Sequence, residues 1–221
     1  PNSPIPNCKI ILTDKKKIYF FSCPKKINQI KKNKQYKNLI FCTYKDFSKV
    51  IYKLKGKNFC IDNLTCSISN ESIISKFFRI KLKTDPCYMM KSIKNKIEIK
   101  HTRDAHFKDG LALTKFIFWI KNINQKKITE IEAKNKLEKF RRLNKDYLFP
   151  SFDTIAGTGS NGAIIHYRVN KKSNKVIKKN DIFLCDSGGQ YNYGTTDVTR
   201  TICFSEQKKS IKDAFTNVLK G

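Results

Sequence analysis

Asp186-Ser-Gly-Gly-Gln-Tyr-Asn-Tyr-Gly-Thr-Thr-Asp197 begins and ends with a carboxylate and lies between two β-prone runs, Ile182-Phe-Leu-Cys185 and Val198-Thr-Arg-Thr-Ile-Cys-Phe204. Two such runs joined by a Gly- and Asn-bearing turn spell a β-hairpin. With a two- or four-residue loop centred between Tyr191 and Asn192, the pairing register sets Asp186 opposite Asp197. Directly opposed residues have Cβ atoms roughly 4.5–5.5 Å apart, and like charges there repel. A divalent cation held by both carboxylates is the simplest compensation, which makes the hairpin a candidate metal site. The plainer reading leaves both acids as turn-flanking residues, and a one-residue bulge would throw them onto opposite faces.

Upstream of the hairpin, His166 emerges from the short apolar stretch Gly162-Ala-Ile-Ile-His-Tyr167, read as a strand over 163–167. A histidine beside a carboxylate pair is a candidate for proton transfer or substrate contact, and equally for a structural hydrogen bond. His101 and His106 are five apart on a helical pattern, not the four that aligns two ligands on one face. They read as structural, and Arg103 and Asp109 as serving helix packing and local ion pairing.

Composition narrows the classes. At 221 residues, with 39% apolar and 12% aromatic side chains, the chain can bury a core and is not a disordered segment. No apolar run approaches the roughly 18 residues needed to cross a bilayer, and no secretory signal is visible. The opening Pro1-Asn-Ser-Pro-Ile-Pro6 without an initiator Met suggests a start further upstream. A net charge of +28 favours polyanion binding. Yet the basic residues are overwhelmingly Lys and are spread along the chain, with Arg at only 79, 103, 141, 142, 168 and 200. Bidentate phosphate and base recognition favours Arg, so solvated faces, and neither a specific nucleic-acid partner nor a membrane, are expected. The eight cysteines form no Cys-x-x-Cys pair, which points to reduced thiols in a cytoplasmic protein.

Two domains are expected. Residues 1–85 read as a small α/β unit. A hairpin joins Cys8–Thr13 to Lys17–Ser22, further strands lie at Leu39–Thr43 and Asn58–Ile61, and helices at Asp46–Leu54 and Ser72–Phe78. Asp85-Pro86 breaks the pattern. Residues 86–221 then hold a long helix from about Lys94 to Ile123, with Leu111, Leu113, Phe116, Ile117 and Ile120 on its apolar side. A second helix starts at the capping box Thr129-Glu-Ile-Glu132, carries Ile131, Leu137, Phe140 and Leu143, and fades by Lys145. Strands follow at Phe152–Ala156 and through the hairpin, and an amphipathic helix at Ser210–Lys220 ends the chain.

Ser151-Phe-Asp-Thr-Ile155, Gly162-Ala-Ile-Ile-His-Tyr167, Asp186-Ser-Gly-Gly-Gln-Tyr191 and Gly194-Thr-Thr-Asp-Val-Thr-Arg-Thr201 together resemble the Xaa-Pro aminopeptidases (aminopeptidase P). The stretches Arg103-Asp-Ala-His-Phe-Lys-Asp-Gly110 and Phe215-Thr-Asn-Val-Leu-Lys-Gly221 are similar to that family too. The resemblance implies an α+β fold: the N-terminal half of a pita-bread catalytic domain over 86–221, preceded by the C-terminal part of a small non-catalytic α/β domain. It implies two divalent metal ions, manganese first among them, and peptides with proline at the second position as substrates. Two Asp, one His and two Glu hold the metals in that family, and the two Asp match Asp186 and Asp197, the second bridging both ions. A histidine at the position of His166 lies by the substrate and the reacting centre, and a metal-bridging water attacks the scissile carbonyl. Dimers are common among similar enzymes, so a homodimer is an expectation.

The chain departs from the family pattern. The metal-binding His and both Glu follow the final helix in relatives, and Gly221 precedes that point. The expectation is a piece of such an enzyme that is catalytically incomplete alone, with sheet face and edges left uncovered. A pita-bread relative serving as a non-catalytic binding module is the alternative.

Overall fold

The computed structural model describes residues 7–32, 38–122 and 127–221. The opening Pro1–Pro6 and the helix end expected at Ile123 lie outside them. The chain divides into two compact units, Ser3–Ile93 and Lys94–Gly221. The division falls eight residues later than the break expected at Asp85-Pro86. Pro86 opens a short helix, capped by the Asp85 side chain on the Cys87 amide, that belongs to the first unit.

In the first unit β1 (Lys9–Leu12) and β2 (Ile18–Ser22) form the expected hairpin. Strand β3 (Leu39–Thr43) adds to β2 in parallel, its crossover containing helix α1 (Pro24–Lys31). Helix α2 (Phe47–Lys53) leads to β4 (Asn58–Ile61), which pairs in parallel with β5 (Arg79–Leu82) after α3 (Ile68–Ile74). Phe21, Phe47, Ile51, Ile61 and Ile74 fill the core. α4 (Pro86–Ser92) closes the unit. Neither α1 nor α4 was anticipated. Each starts with Pro at its first position, where the missing N–H costs nothing.

The second unit opens with α5 (Lys96–Lys121), whose Asn95 and Glu98 side chains each accept the other's backbone N–H. Helix α6 (Glu130–Arg142) starts at the expected Thr129–Glu132 box. β6 (Tyr147–Pro150) pairs with β9 (Gly189–Tyr191), while β7 (Ile155–Thr158), β8 (Ile182–Ser187) and β10 (Val198–Cys203) form an antiparallel sheet ordered β10-β8-β7. Along β8, Phe183, Cys185 and Ser187 are buried, and Phe183 and Cys185 pack with Leu113, Phe116, Ile120, Ala133 and Leu137 of the two helices. Ile182, Leu184 and Asp186 therefore point to the opposite face.

Some expected positions moved. Leu111 and Leu143 are exposed. The strand expected at Phe152–Ala156 runs Ile155–Thr158, and β6 was not foreseen. The strand expected over 163–167 is instead a 3-10 turn, Gly159–Ala163, followed by an irregular turn. Backbone meets backbone there: a Cβ on Gly157 would lie 2.9 Å from the Gly162 nitrogen, and Gly159 has φ +53°. That close approach defeats the apolar run's β preference.

β10 forms an edge of its sheet. Beyond it, α7 (Lys209–Lys220) has no buried residue and leaves Phe215, Val218 and Leu219 exposed. A groove of about 1070 Å³ lies between α7, β10 and the end of α5.

Candidate metal centre

The hairpin exists, but its register differs from the expected one. The Tyr191 N–H donates to Gly194 O at 2.8 Å, and Gln190 bridges to Thr195, so the two-residue turn is Asn192-Tyr193. Its centre lies one residue beyond the expected one. Each such step moves every cross-strand partner by two, and Asp186 accordingly faces Thr199, not Asp197. The ladder ends with Ser187 opposite Val198, and Asp197 lies one residue beyond that end. The expected direct opposition of the two acids is therefore not formed, although both lie at the same end of the β8–β10 ladder.

Thr199 fills the position directly opposite. Its Oγ1 donates to Asp186 Oδ1 at 2.8 Å, orienting the carboxylate. Asp186 is half-buried and Asp197 exposed. Between Ser187 and Val198 the ladder is interrupted by a tight crossing. A Cβ on Gly188 would lie 1.9 Å from Thr196 O and 2.3 Å from Ser151 Oγ. Ser151 Oγ donates to that Thr196 oxygen, and Thr196 Oγ1 accepts from the Gly189 N–H. Asp197 leaves directly from this clasp.

The hairpin tip is seated on α5, where a Cβ on Gly194 would come within 2.8 Å of Ala105 Cβ. His101 packs against the Tyr193 ring at 5.6 Å, and His106 Nδ1 contacts Thr102 O, so both act within the fold as expected.

Behind the strand lies an ion pair the sequence reading missed. Arg141 Nε donates to Asp109 Oδ1 at 2.7 Å, and its Nη2 donates to Asp109 Oδ2 and to Ser187 Oγ, both at 3.0 Å. Tyr191 Oη donates to Asp109 Oδ1 at 2.8 Å. All four side chains are fully buried. Burial disfavours the Arg141 charge, but the hydrogen bond and charge of Asp109 outweigh it and hold the guanidinium above its ordinary value. Asp109 was expected to pair locally; its partner is 32 residues away on α6. One guanidinium thereby ties both helices to Ser187, the residue after Asp186. Burial pushes the neighbouring Cys185 thiol up to about 11, leaving it protonated.

His166 is exposed, with a left-handed φ of 53°. The 3-10 turn before it packs on the outward sheet face, where a Cβ on Gly162 would lie 3.6 Å from Leu184 Cβ. Leu184 and Asp186 share that face. Among the described residues no group of three or more His, Cys, Asp and Glu side chains is arranged to hold a metal ion.

Residues 100–221 match the family model described as metallopeptidase family M24. The chain is 42% identical over 159 residues to the Xaa-Pro aminopeptidase ApepP of Drosophila melanogaster, covering 71% of this chain and 26% of that protein. It is 47% identical over 134 residues to a "Probable Xaa-Pro aminopeptidase P" of Podospora anserina, covering 59% of this chain and 20% of the relative. The crystal structure of an X-prolyl aminopeptidase from Caenorhabditis elegans, described as a cytosolic enzyme with a di-nuclear active site, superposes with a TM-score of 0.70 at 26% identity. That match covers 88% of this chain and 33% of the other.

Proposed function

This chain belongs to metallopeptidase family M24, with the pita-bread type of fold, and on that premise we propose that it contributes Asp186, Asp197 and His166 to an aminopeptidase centre. The centre releases the N-terminal residue that precedes proline. What supports the reading is Asp186 on the outward face of β8, Asp197 one residue past the end of the β8–β10 ladder, and the turn that leads to His166 packed on that outward face. Carboxylate oxygens suit a hard divalent cation such as Mn²⁺. The two acids would make up only part of a ligand set, and the described residues bring no cluster of three donors together.

Asp186 and Asp197 would be the carboxylates of this chain that hold the metal ions. When bound, the metal pair supplies carbonyl polarisation and a nucleophilic hydroxide at neutral pH. The chain's own residues prepare that site. Thr199 turns the Asp186 carboxylate by its hydroxyl. The Arg141–Asp109 pair fixes the strand through Ser187, and the Gly188–Thr196 clasp fixes the departure of Asp197. His166 contacts the substrate peptide beside the scissile carbonyl from its exposed loop. The location we propose is cytoplasmic, since the similar Caenorhabditis elegans enzyme is described as cytosolic.

The test uses the complete polypeptide that carries these residues, with metal content and hydrolysis of a peptide bearing proline at position two as readouts. Asp197→Ala is expected to abolish metal loading and turnover together. His166→Ala is expected to retain metal and lose about 10²–10⁴-fold in turnover, the range for loss of a positioned catalytic group. Full metal and normal turnover in Asp197→Ala would refute the ligand role. Loss of metal in His166→Ala would make that residue a ligand instead.

A further inference from the structure

Glu130 is fully buried at the first position of α6, and no cation is paired with it among the described ion pairs. Its carboxylate instead gathers neutral donors from three parts of the chain. Oε1 accepts from the Thr158 N–H at 2.7 Å and from Asn161 Nδ2 at 3.0 Å. Oε2 accepts from Tyr167 Oη at 3.0 Å and from the Lys175 N–H at 3.1 Å. Tyr167 Oη in turn accepts from Asn161 Nδ2 at 2.7 Å. Thr158 and Asn161 precede the exposed tip Ile164-Ile165-His166, and Tyr167 and Lys175 follow it. One carboxylate therefore clamps both ends of a single loop.

His166 is held in a left-handed conformation that non-glycine residues adopt rarely, with Tyr167 anchored immediately after it. Such a conformation persists only where the surroundings over-determine it. We propose that Glu130 is a positioning residue that fixes the backbone at His166 and so presents its imidazole to the substrate. The catalytic half of this proposal rests on the reading of His166 given above; the positioning half stands on the hydrogen bonds alone. Glu130→Gln keeps the side-chain volume but replaces one accepting oxygen by a donor, which then faces N–H groups on either side. A buried donor left without an acceptor loosens its attachment enough for about tenfold faster exchange, or more.

The experiment has two readouts. In Glu130→Gln, and in Tyr167→Phe as the milder variant, amide hydrogen exchange is measured at Thr158 and Lys175, with Phe183 and Ile202 as internal controls. Exchange at the first pair is expected to rise at least about tenfold, with the controls unchanged and the His166 ring resonance displaced. Unchanged exchange and an unmoved ring signal in both variants would overturn the proposal. If Glu130→Gln fails to fold, the His166 ring resonance in Tyr167→Phe decides alone. That variant removes the hydrogen bond that the residue after His166 donates to Glu130, and an unmoved signal overturns the proposal. The second readout is turnover in the complete polypeptide as a double-mutant cycle. Glu130→Gln is expected to lower kcat in the parent and add nothing in a His166→Ala background. The same fold-loss in both backgrounds would show that Glu130 does not act through His166. Normal turnover in His166→Ala would sink the role given to His166, and the exchange data would then judge Glu130 independently.

Discussion

Replacing Asp109 by Asn tests what holds the metal-bearing strand in place. The substitution preserves volume but removes the one charge that, among the described residues, is paired with Arg141, a guanidinium with no solvent exposure. It also sets a donor amide among three donors, the two guanidinium nitrogens and Tyr191 Oη. Arg141 Nη1 already lacks a hydrogen-bond partner among the described residues, so they offer the group no spare acceptor. Removing one member of a buried pair costs about 3–5 kcal/mol, because the remaining charge is left uncompensated. With a urea m-value of about 2 kcal/mol/M, the unfolding midpoint should fall by roughly 1.5–2.5 M. Trp119, the chain's single tryptophan, packs against the core of this unit and reports the transition by fluorescence. A fall of less than about 0.3 M would refute the reasoning. The double substitution Asp109→Leu with Arg141→Met should recover most of the loss, since replacing a whole buried pair by apolar groups is often neutral.

Gly188→Ala should destabilise the second unit by about 3 kcal/mol or more, because its Cβ would collide with backbone that is itself clasped. Calorimetry checks it, and a melting temperature within 2 °C of the parent, by the order-of-magnitude scaling for a domain of this size, would contradict it. In the first unit, the Asp85 and Leu64 N–H groups hold the Asp62 carboxyl below the usual carboxylate range. A depressed folded value contributes stability that is present above about pH 4 and lost as pH falls through the folded value. Acid unfolding of Asp62→Asn should therefore show a shallower pH dependence below pH ~4 than the parent. At pH 8 an alkylating reagent should label the exposed Cys60 in native protein and spare Cys185 until the unit unfolds, as peptide mapping would reveal.

The elements legible in sequence were those with a local cause. The capping box at Thr129, the hairpin at 9–22 and the strand at the apolar run Ile182–Cys185 all follow from neighbouring residues. The acids were visible as a motif, but their pairing depended on where the turn centres, and Asn192-Tyr193 is fixed by the seating of Gly194 on α5. Sequence spacing holds no record of that contact. From the sequence alone, Glu130 and Arg141 are given no role in the site. A signal for them existed: with Ala133 and Leu137 they complete the buried stripe of α6 at spacings of three, four and four. A charge on an apolar stripe must find a partner indoors, and in both cases that partner leads toward the residues assigned to the site.

The Asn192-Tyr193 tip acts as the ratchet of this ribbon. Sliding the fold-back point by one residue trades cross-strand partners two at a time, so substitutions that shift it would carry the acids past each other without reversing the strand alternation. A residue added at the tip itself only lengthens the loop and leaves both strands as they are. A residue added inside β8 or β10 would instead bulge the strand or reverse the face of everything beyond it. Tolerance to insertion should therefore be confined to the bend and end at the strands that flank it.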